Sequence, residues 1–211
     1  MKQIQGGVTA AKGFEAAGTA ANIKYKDRMD MALIYSSAPC RVAGTFTTNV
    51  VKAAPVLWDK EVVDNSPFAQ AVIVNAGIAN ACTGKQGMEY CREEAQTASK
   101  LLDIPENSVL VGSTGVIGMQ LPMERIKEGI RQLVAAKDST MGAGTTASKA
   151  IMTTDTVNKE IAVTIELDGK TVTIGGMSKG SGMIHPNMCT MLAYITTDAA
   201  ISRELLQEAL S

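Results

Sequence analysis

Apolar residues recur at two spacings along the chain, and the wider spacing predicts helices. Over Gln86–Leu102, apolar and small residues return every three or four positions, with charged residues between them, as in a helix with one buried face. A second helix is expected to open at Pro122, because a proline in the first helical turn costs no hydrogen bond. Ser139–Met152 is expected to form a third helix, and the Ser202 hydroxyl is expected to cap a fourth over 202–210.

Alternating residues and short continuous apolar runs predict strands. A hairpin is expected where Glu160–Leu167 and Lys170–Ile174 flank Asp168-Gly169, because this dipeptide favours the left-handed conformations of a tight turn. Four more strands are expected at Met31–Ser36, Ala71–Asn75, Ser108–Gly112 and Thr190–Ile195. Loops are expected at Ala76–Gly84, Ser113–Gly118 and Gly175–Pro186. This mixture of strands and helices predicts an α/β or α+β fold, and residues 1–30 give no assignment.

Composition narrows the classes of function. The chain has 211 residues, enough for one large domain or two small ones. Its 20 basic and 21 acidic residues leave a net charge of −1, so no basic surplus favours nucleic acid or an anionic membrane. No window approaches the roughly 18 apolar residues of a membrane-spanning helix. The cysteines include no CxxC pair, and a single histidine, His185, excludes a multi-histidine metal site. We therefore expect a cytoplasmic protein with reduced thiols and no bound metal.

Candidate chemistry lies where a glycine-punctuated segment meets the predicted strand that starts at Thr190. A threonine hydroxyl needs a base to act as a nucleophile, and a cut between Cys189 and Thr190 would supply one by making the threonine N-terminal. The new α-amine, with an ordinary pKa of roughly 7.7–8.0, would accept the proton. The simpler interpretation of the pattern alone is a β-branched residue that begins a strand. His185 is expected to be an ordinary loop residue rather than the base.

Six motifs occur in order along the chain. The first is GGVTAAKGFEAAG near the N terminus, and the last is KGSGMIHPNMCTML, which runs from Lys179 through Thr190 to Leu192. Those between them are GTFTTN at Gly44–Asn49, VNAGIANACTG at Val74–Gly84, GSTGVIG at Gly112–Gly118 and IMTTDT at Ile151–Thr156. In these motifs the chain resembles the ornithine acetyltransferase family of arginine biosynthesis, also called glutamate N-acetyltransferase, over essentially its whole length.

The resemblance implies an enzyme that transfers the acetyl group of N2-acetyl-L-ornithine to L-glutamate through an acetyl-threonine intermediate on Thr190. It implies a self-processing α+β sandwich in which 1–189 form an α-chain-like domain and 190–211 begin a truncated β chain. The expected partner is the protein's own downstream chain, in an assembly of two α and two β chains. No cofactor is expected, and acetyl-CoA would be a co-substrate only in a bifunctional enzyme.

The same resemblance implies roles for individual residues. Thr114 and Gly115 match the pair that holds the oxyanion, and Thr190 matches the nucleophile. The residues expected to bind substrate are Lys179, Thr190 and one residue of the pair Thr153 and Thr154, of which Thr153 is favoured. Cys189, the other residue of the cleavage site, stands where family members often carry a small residue such as alanine.

Two other functions remain open at this point. An N-terminal-nucleophile hydrolase, such as an aminopeptidase, would share the architecture and use water instead of glutamate as the acceptor. An inactive half that only binds a partner is the non-enzymatic alternative. Without the resemblance, Lys179 would be interpreted as a solvated surface lysine, and Cys82 is expected to be a small buried hydrophobic residue.

Overall fold

A computed structural model of the protein describes residues 1–180 and 191–211. Within these ranges the chain forms eight strands and five α-helices. The strands are β1 (Lys2–Ile4), β2 (Phe14–Thr19), β3 (Met31–Cys40), β4 (Ala69–Ile78), β5 (Val109–Val116), β6 (Lys159–Leu167), β7 (Lys170–Lys179) and β8 (Leu192–Thr197). The helices are α1 (Ala54–Asn65), α2 (Lys85–Leu102), α3 (Met123–Ala136), α4 (Met141–Ala150) and α5 (Arg203–Leu210).

The strands form two four-stranded sheets. The central sheet has the order β2-β3-β4-β5, and the second sheet has the order β1-β6-β7-β8. All pairs are antiparallel except β4 and β5, which run parallel. A parallel pair needs a crossover connection, and α2 supplies it. The mixed α/β class predicted from the sequence is therefore confirmed.

The central sheet is buried on both faces, which explains the continuous apolar runs of β3 and β4. Leu33 and Ile73 face one side and pack with residues of α2 and α3. Ile34 and Val74 face the other side and pack against α4 and the second sheet, where Met177 contributes to the core. The order of the layers is therefore α2 and α3, then the central sheet, and then α4 together with the second sheet.

Three strands continue into segments that the sequence analysis assigned to loops. β4 runs to Ile78, β5 runs to Val116, and β7 runs to Lys179. In β7 the reason is the close approach of another backbone, since a Cβ at Gly175 would lie 2.1 Å from the carbonyl oxygen of Gly7. Glycine-rich composition alone suggested a loop, but here it allows tight packing of extended chains.

The predicted tight turn and helix cap are both confirmed. Asp168 and Gly169 have φ angles of 49° and 74°, as a type I′ turn requires. The Ser202 hydroxyl accepts a hydrogen bond from the backbone N–H of Leu205 at the start of α5. Cys82, in contrast, is exposed and has a φ of 58°. The prediction that it is buried was wrong because this left-handed residue belongs to the turn before α2.

Helix α1, which the sequence analysis did not predict, covers the edge of β5. The indole N–H of Trp58 donates to the carbonyl oxygen of Val109 over 3.0 Å. The backbone N–H of Val111 donates to Oδ1 of Asp59 over 2.8 Å. These bonds satisfy main-chain groups that an edge strand would otherwise leave open. No helix in the described part of the chain is long and apolar enough to cross a membrane.

Two carboxyl groups lie in the layer between α1, α2 and β5. Glu94 is fully buried, and neither of its carboxyl oxygens has a hydrogen-bond partner among the described residues. Burial, followed by the nearby charges of Asp59 and Glu93, raises the pKa of Glu94 to about 8. Burial also raises the pKa of Asp59 to about 8, against the effect of the Val111 N–H. The folded protein thus holds protons that the unfolded chain releases near its ordinary pKa values.

We expect the free energy of unfolding to fall as pH rises from about 5 to 8. In this window the native state binds more protons than the unfolded chain, whose glutamates titrate near pH 4.5, so stability decreases with pH. Glu94→Gln should make this decrease shallower, because the amide does not titrate. The measurement is thermal unfolding against pH for the protein that contains this chain. Glu89→Gln, on the exposed face of the same helix, is the control. Equal pH slopes for the two variants would contradict the assignment.

Candidate functional site

A pocket of about 340 Å³ opens where the carboxyl ends of β4 and β5 meet three other segments. This end of a parallel strand pair is a common place for ligand binding, because the chain leaves the sheet there and its side chains converge. The lining residues are Lys24, Tyr25, Arg28, Met29, Asp30, Ala76, Gly77, Thr114, Gly115, Val116, Met152, Thr153, Thr154, Lys179 and Gly180.

Thr114 and Gly115 lie at the floor of the pocket, near the end of β5. Thr114 is opposite Ala76, and Gly115 is opposite Gly77 in the parallel ladder. Gly115 has a φ of 137°, and a Cβ there would lie 2.3 Å from the carbonyl carbon and oxygen of Gly77. Only glycine allows this backbone approach. The Thr114 side chain is therefore held beside a main-chain segment of defined conformation.

Lys179 ends β7 and lines the pocket as a buried residue. Only 4% of the residue is exposed, and Nζ donates a 2.6 Å hydrogen bond to Oγ1 of Thr153. Nζ also lies 4.0 Å from Oδ2 of Asp155. Burial lowers the pKa of Lys179, the charge of Asp155 opposes this, and Lys159 adds to it. The alternative of a solvated surface lysine is therefore wrong for this position.

Asp155 organises the charged groups under the pocket. Its carboxylate accepts hydrogen bonds from Nζ of Lys159 at 2.6 Å, from the backbone N–H of Gly180 at 2.9 Å and from that of Thr153 at 3.4 Å. Burial raises its pKa, but these three hydrogen bonds outweigh burial and lower the pKa to about 2. A permanent negative charge is thus fixed close to the Lys179 ammonium group.

The structure brings together the described residues that the resemblance singled out. Thr114, Gly115, Thr153, Thr154 and Lys179 all line this one pocket. They come from β5, from the segment after α4 and from β7, which are far apart in the sequence. Their convergence is a finding about position, and their roles remain predictions.

Three predicted or discussed residues, His185, Cys189 and Thr190, lie outside the described residues. Met191, which follows Thr190 in the sequence, lies beside the pocket residue Gly180. A Cβ built on Gly180 would be 3.4 Å from Cγ of Met191.

Segment 23–30 forms a wall of the pocket that the sequence analysis did not identify. Asp30 closes this segment, because its carboxylate accepts hydrogen bonds from the backbone N–H of Ala21 at 2.7 Å and of Ile23 at 2.6 Å. Arg28 joins it to the neighbouring wall, since Nη2 donates to the carbonyl oxygens of Met152 at 3.1 Å and Thr153 at 2.7 Å. The contacts of Arg28 join residues separated by more than 120 positions, so no local pattern could indicate them.

The described residues contain no group of three histidine, cysteine or acidic side chains arranged to hold a metal ion. The pocket residues that the resemblance named, together with Asp155, offer hydroxyl groups, backbone amides, one buried ammonium group and one ionised carboxylate. Such a set suits the binding of a carboxylate ligand and the stabilisation of an oxyanion.

The ArgJ family model matches residues 15–211. The chain is 51% identical to the arginine biosynthesis bifunctional protein ArgJ of Symbiobacterium thermophilum, over 100% of this chain and 52% of that protein. It therefore spans about half the length of that curated relative.

Solved structures give the same picture of the fold. Ornithine acetyltransferase from Mycobacterium tuberculosis, solved with ornithine, aligns with a TM-score of 0.81 and 39% identity, covering 90% of this chain and 99% of that chain. The L-aminopeptidase D-Ala-esterase/amidase of Ochrobactrum anthropi, described as a variant of the Ntn-hydrolase fold, aligns with a TM-score of 0.56 at 11% identity, covering 99% of this chain and 67% of that chain. This second likeness concerns the fold alone.

Gly115→Ala should lower stability more than Gly118→Ala. Both glycines have positive φ, at 137° and 80°, so both alanines carry a backbone cost of about 1–2 kcal/mol. Only the Gly115 variant also forces a Cβ against the Gly77 main chain, which adds about 1–3 kcal/mol, whereas a Cβ at Gly118 meets nothing within 4 Å. Denaturant unfolding of both variants measures the difference, and equal losses would contradict the close approach.

Proposed function

Because this chain belongs to the ArgJ family, we propose that the protein containing it transfers the acetyl group of N2-acetyl-L-ornithine to L-glutamate in arginine biosynthesis. The observation that carries this proposal is the convergence of Thr114, Gly115, Thr153, Thr154 and Lys179 on one pocket. Acetyl transfer requires a nucleophile, oxyanion donors and a site for a charged amino acid, and these residues supply the last two.

The proposed first half-reaction makes an ester on Thr190. The Thr190 hydroxyl gives its proton to its own α-amine and its oxygen attacks the acetyl carbonyl carbon. The Thr114 hydroxyl and the Gly115 N–H donate hydrogen bonds to the oxyanion that forms. The amide C–N bond then breaks, and the proton passes from the α-amine to the departing ornithine.

The second half-reaction reverses this order with a different amine. The amine of glutamate attacks the acetyl-threonine carbonyl, a C–N bond forms, and the ester C–O bond breaks. The α-amine takes a proton from the attacking amine and returns one to the Thr190 oxygen. Acetyl-CoA would form the same ester by giving up its thiol, so in a bifunctional enzyme it serves as a second donor and not as a cofactor.

Lys179 and Thr153 are proposed to hold the substrate. The ammonium group of Lys179 is buried and bonded to Oγ1 of Thr153, so it offers a fixed positive charge to a carboxylate at low conformational cost. The carboxylate of Asp155 keeps this lysine in place. It also accepts hydrogen bonds from Nζ of Lys159 and from the backbone N–H of Gly180.

Cleavage between Cys189 and Thr190 is part of the proposal. The length of the solved M. tuberculosis chain supports this proposal. The alignment with that chain covers 99% of its residues and 90% of the residues of this chain. The curated relative, in contrast, is about twice as long as this chain. That solved chain is thus about as long as the part of this sequence before Thr190. Met191, which follows the proposed cleavage site in the sequence, lies beside the pocket residue Gly180.

The downstream half of the precursor is the proposed partner. The outer face of the second sheet carries the apolar side chains of alternate residues on β6, β7 and β8, and Ile161, Leu167 and Ile195 are 54%, 50% and 61% exposed. A sheet face of this kind favours burial against another layer. In this proposal residues 1–189 form the α chain, 190–211 begin the β chain, and the two-plus-two assembly works in the cytoplasm.

The test for self-cleavage is intact-mass analysis of the full-length precursor. We expect two fragments, the second beginning at Thr190, and an uncleaved Thr190→Ala variant that forms no acetyl-enzyme. Thr190→Ser keeps a hydroxyl and an α-amine and should still be cleaved.

Initial rates with both substrates should give parallel double-reciprocal lines. A fully active enzyme that stays in one piece would overturn the proposal, and hydrolysis of acetylornithine without transfer would favour the N-terminal-nucleophile hydrolase.

Thr114→Val should lower kcat about 100- to 1,000-fold, because one oxyanion donor is lost while the side-chain shape is kept. Thr114→Ser retains the donor and should lose far less. Steady-state rates of acetyl transfer in the cleaved, full-length enzyme check this, with the mass of the processed chains as a control for cleavage. Similar rates for the valine and serine variants would exclude the hydroxyl as a donor.

A further inference from the structure

The wall of the pocket formed by segment 23–30 is held by hydrogen bonds although most of its residues are exposed. Its two ends are tied together by Asp30, whose carboxylate accepts from the Ala21 and Ile23 N–H groups. Within the segment, the Asp27 N–H donates to Oδ1 of Asn22 over 3.0 Å. Ile23 is buried in the core cluster beside the central sheet. Side chains that project from this wall therefore have a defined starting position relative to the site.

Lys24 stands over the strand pair that carries the oxyanion residues. A Cβ placed on Gly77 would lie 3.1 Å from the Cβ of Lys24, so the stem of Lys24 packs against Gly77. Gly77 is itself opposite Gly115 in the β4–β5 ladder. Nζ of Lys24 lies 4.9 Å from the centre of the Tyr25 ring, and both residues line the pocket.

Arg28 places a second cation on the same rim. Its Cζ is 5.7 Å from the Tyr25 ring centre, and two of its hydrogen bonds go to the carbonyl oxygens of Met152 and Thr153. Because carbonyl groups do not neutralise a guanidinium group, its charge remains available to a ligand. Neither Lys24 nor Arg28 belongs to an ion pair within the part of the chain that the structure describes.

The charge that faces the pocket is therefore positive. Lys24, Arg28 and Lys179 line it, and Asp30 is the one acidic residue among the described lining residues. Both oxygens of the Asp30 carboxylate accept backbone hydrogen bonds. Burial raises the pKa of Asp30, although those bonds and the charges of Arg28 and Arg125 oppose the rise. The ammonium group of Lys179 would pair with one carboxylate of a ligand. Lys24 and Arg28, at the rim, are therefore available to pair with a second carboxylate.

We infer that Lys24 and Arg28 form an acceptor subsite that binds the side-chain carboxylate of the amino acid receiving the acetyl group. This inference rests on the proposed function and deepens it. Glutamate carries two carboxylates, whereas glutamine is isosteric and has a neutral side chain. Ornithine and the donor N2-acetyl-L-ornithine both have a cationic side chain, which these two cations do not bind. The subsite therefore serves the dicarboxylic acceptor and contributes nothing to binding of the donor.

The test compares Lys24→Gln with Lys26→Gln in the full-length, processed enzyme. Lys26 is an exposed lysine of the same segment that does not line the pocket. Lys24→Gln keeps most of the stem on Gly77 and removes the charge. It should raise KM for glutamate about three- to tenfold and leave kcat within about twofold, since exposed ion pairs are modest contributors. KM for acetylornithine should not rise. Lys24→Arg should restore the KM for glutamate, and Lys26→Gln should behave as wild type.

Specificity and direct binding give independent measurements. The preference for glutamate over glutamine as acceptor should shrink in Lys24→Gln by the same factor as the rise in KM, and the factor should decrease with added salt. Equilibrium titration of the donor-free enzyme with glutarate, which has two carboxylates and no amine, should show the same weakening.

The outcomes separate the two proposals. Equal effects of Lys24→Gln and Lys26→Gln, or equal losses for glutamate and glutamine, would overturn the subsite while acetyl transfer by the wild type stands. A wild type that binds glutarate through Lys24 but transfers no acetyl group would support the subsite and reject the proposed function.

Discussion

The close parallel approach of β4 and β5 at Gly77 and Gly115 is the constraint on which the site depends. A Cβ at Gly115 would lie 2.3 Å from the Gly77 main chain and force the two backbones apart, whereas a Cβ at Gly77 would lie 3.1 Å from the Cβ of Lys24 and press on the pocket wall. The approach keeps the ladder intact to the ends of both strands. It therefore fixes Thr114 and the backbone at Gly115 relative to the wall that carries Lys24. Everything proposed about oxyanion stabilisation and acceptor binding assumes this geometry.

A second constraint is the ionised carboxylate of Asp155 beneath the pocket. A buried lysine without a nearby negative charge would tend to release its proton. Asp155 opposes that tendency for Lys179, while Lys159 and Gly180 share its remaining hydrogen-bonding capacity. The same carboxylate accepts from the Thr153 N–H. One anion thus holds both a substrate-binding candidate and its hydrogen-bond partner in place.

Local pattern predicted the elements whose formation depends on local chemistry. The Asp168-Gly169 turn and the Ser202 cap need only their own neighbours, and the apolar runs of β3 and β4 reflect burial on both faces of a sheet. The sequence pattern failed to predict elements whose structure depends on contacts with a distant part of the chain. The extension of β7 through Gly175 depends on Gly7, and α1 is stabilised by contacts with β5, which comes about 50 positions later.

The residues of the site likewise fall into two groups, those that the sequence indicated and those that only the folded chain brings together. The family resemblance assigned roles to five of the lining residues, including Lys179, which the sequence pattern alone would have placed in solvent. Asp155 stands inside one of these motifs, IMTTDT, yet its role follows only from its contacts with Lys159 and Gly180. Lys24 and Arg28 belong to the first 30 residues, where no periodicity was found, and only the folded chain brings them to the pocket.

The outer apolar face of the second sheet has a consequence for the order of events in the cell. While the two halves remain one polypeptide, the covering segment is tethered and reaches this face at a high effective concentration. Halves produced separately would have to find each other by diffusion, with an aggregation-prone surface open to water in the meantime. In the proposed precursor, cleavage after folding would therefore avoid a bimolecular search, and a single gene product would yield a two-chain protein without a chaperone dedicated to pairing.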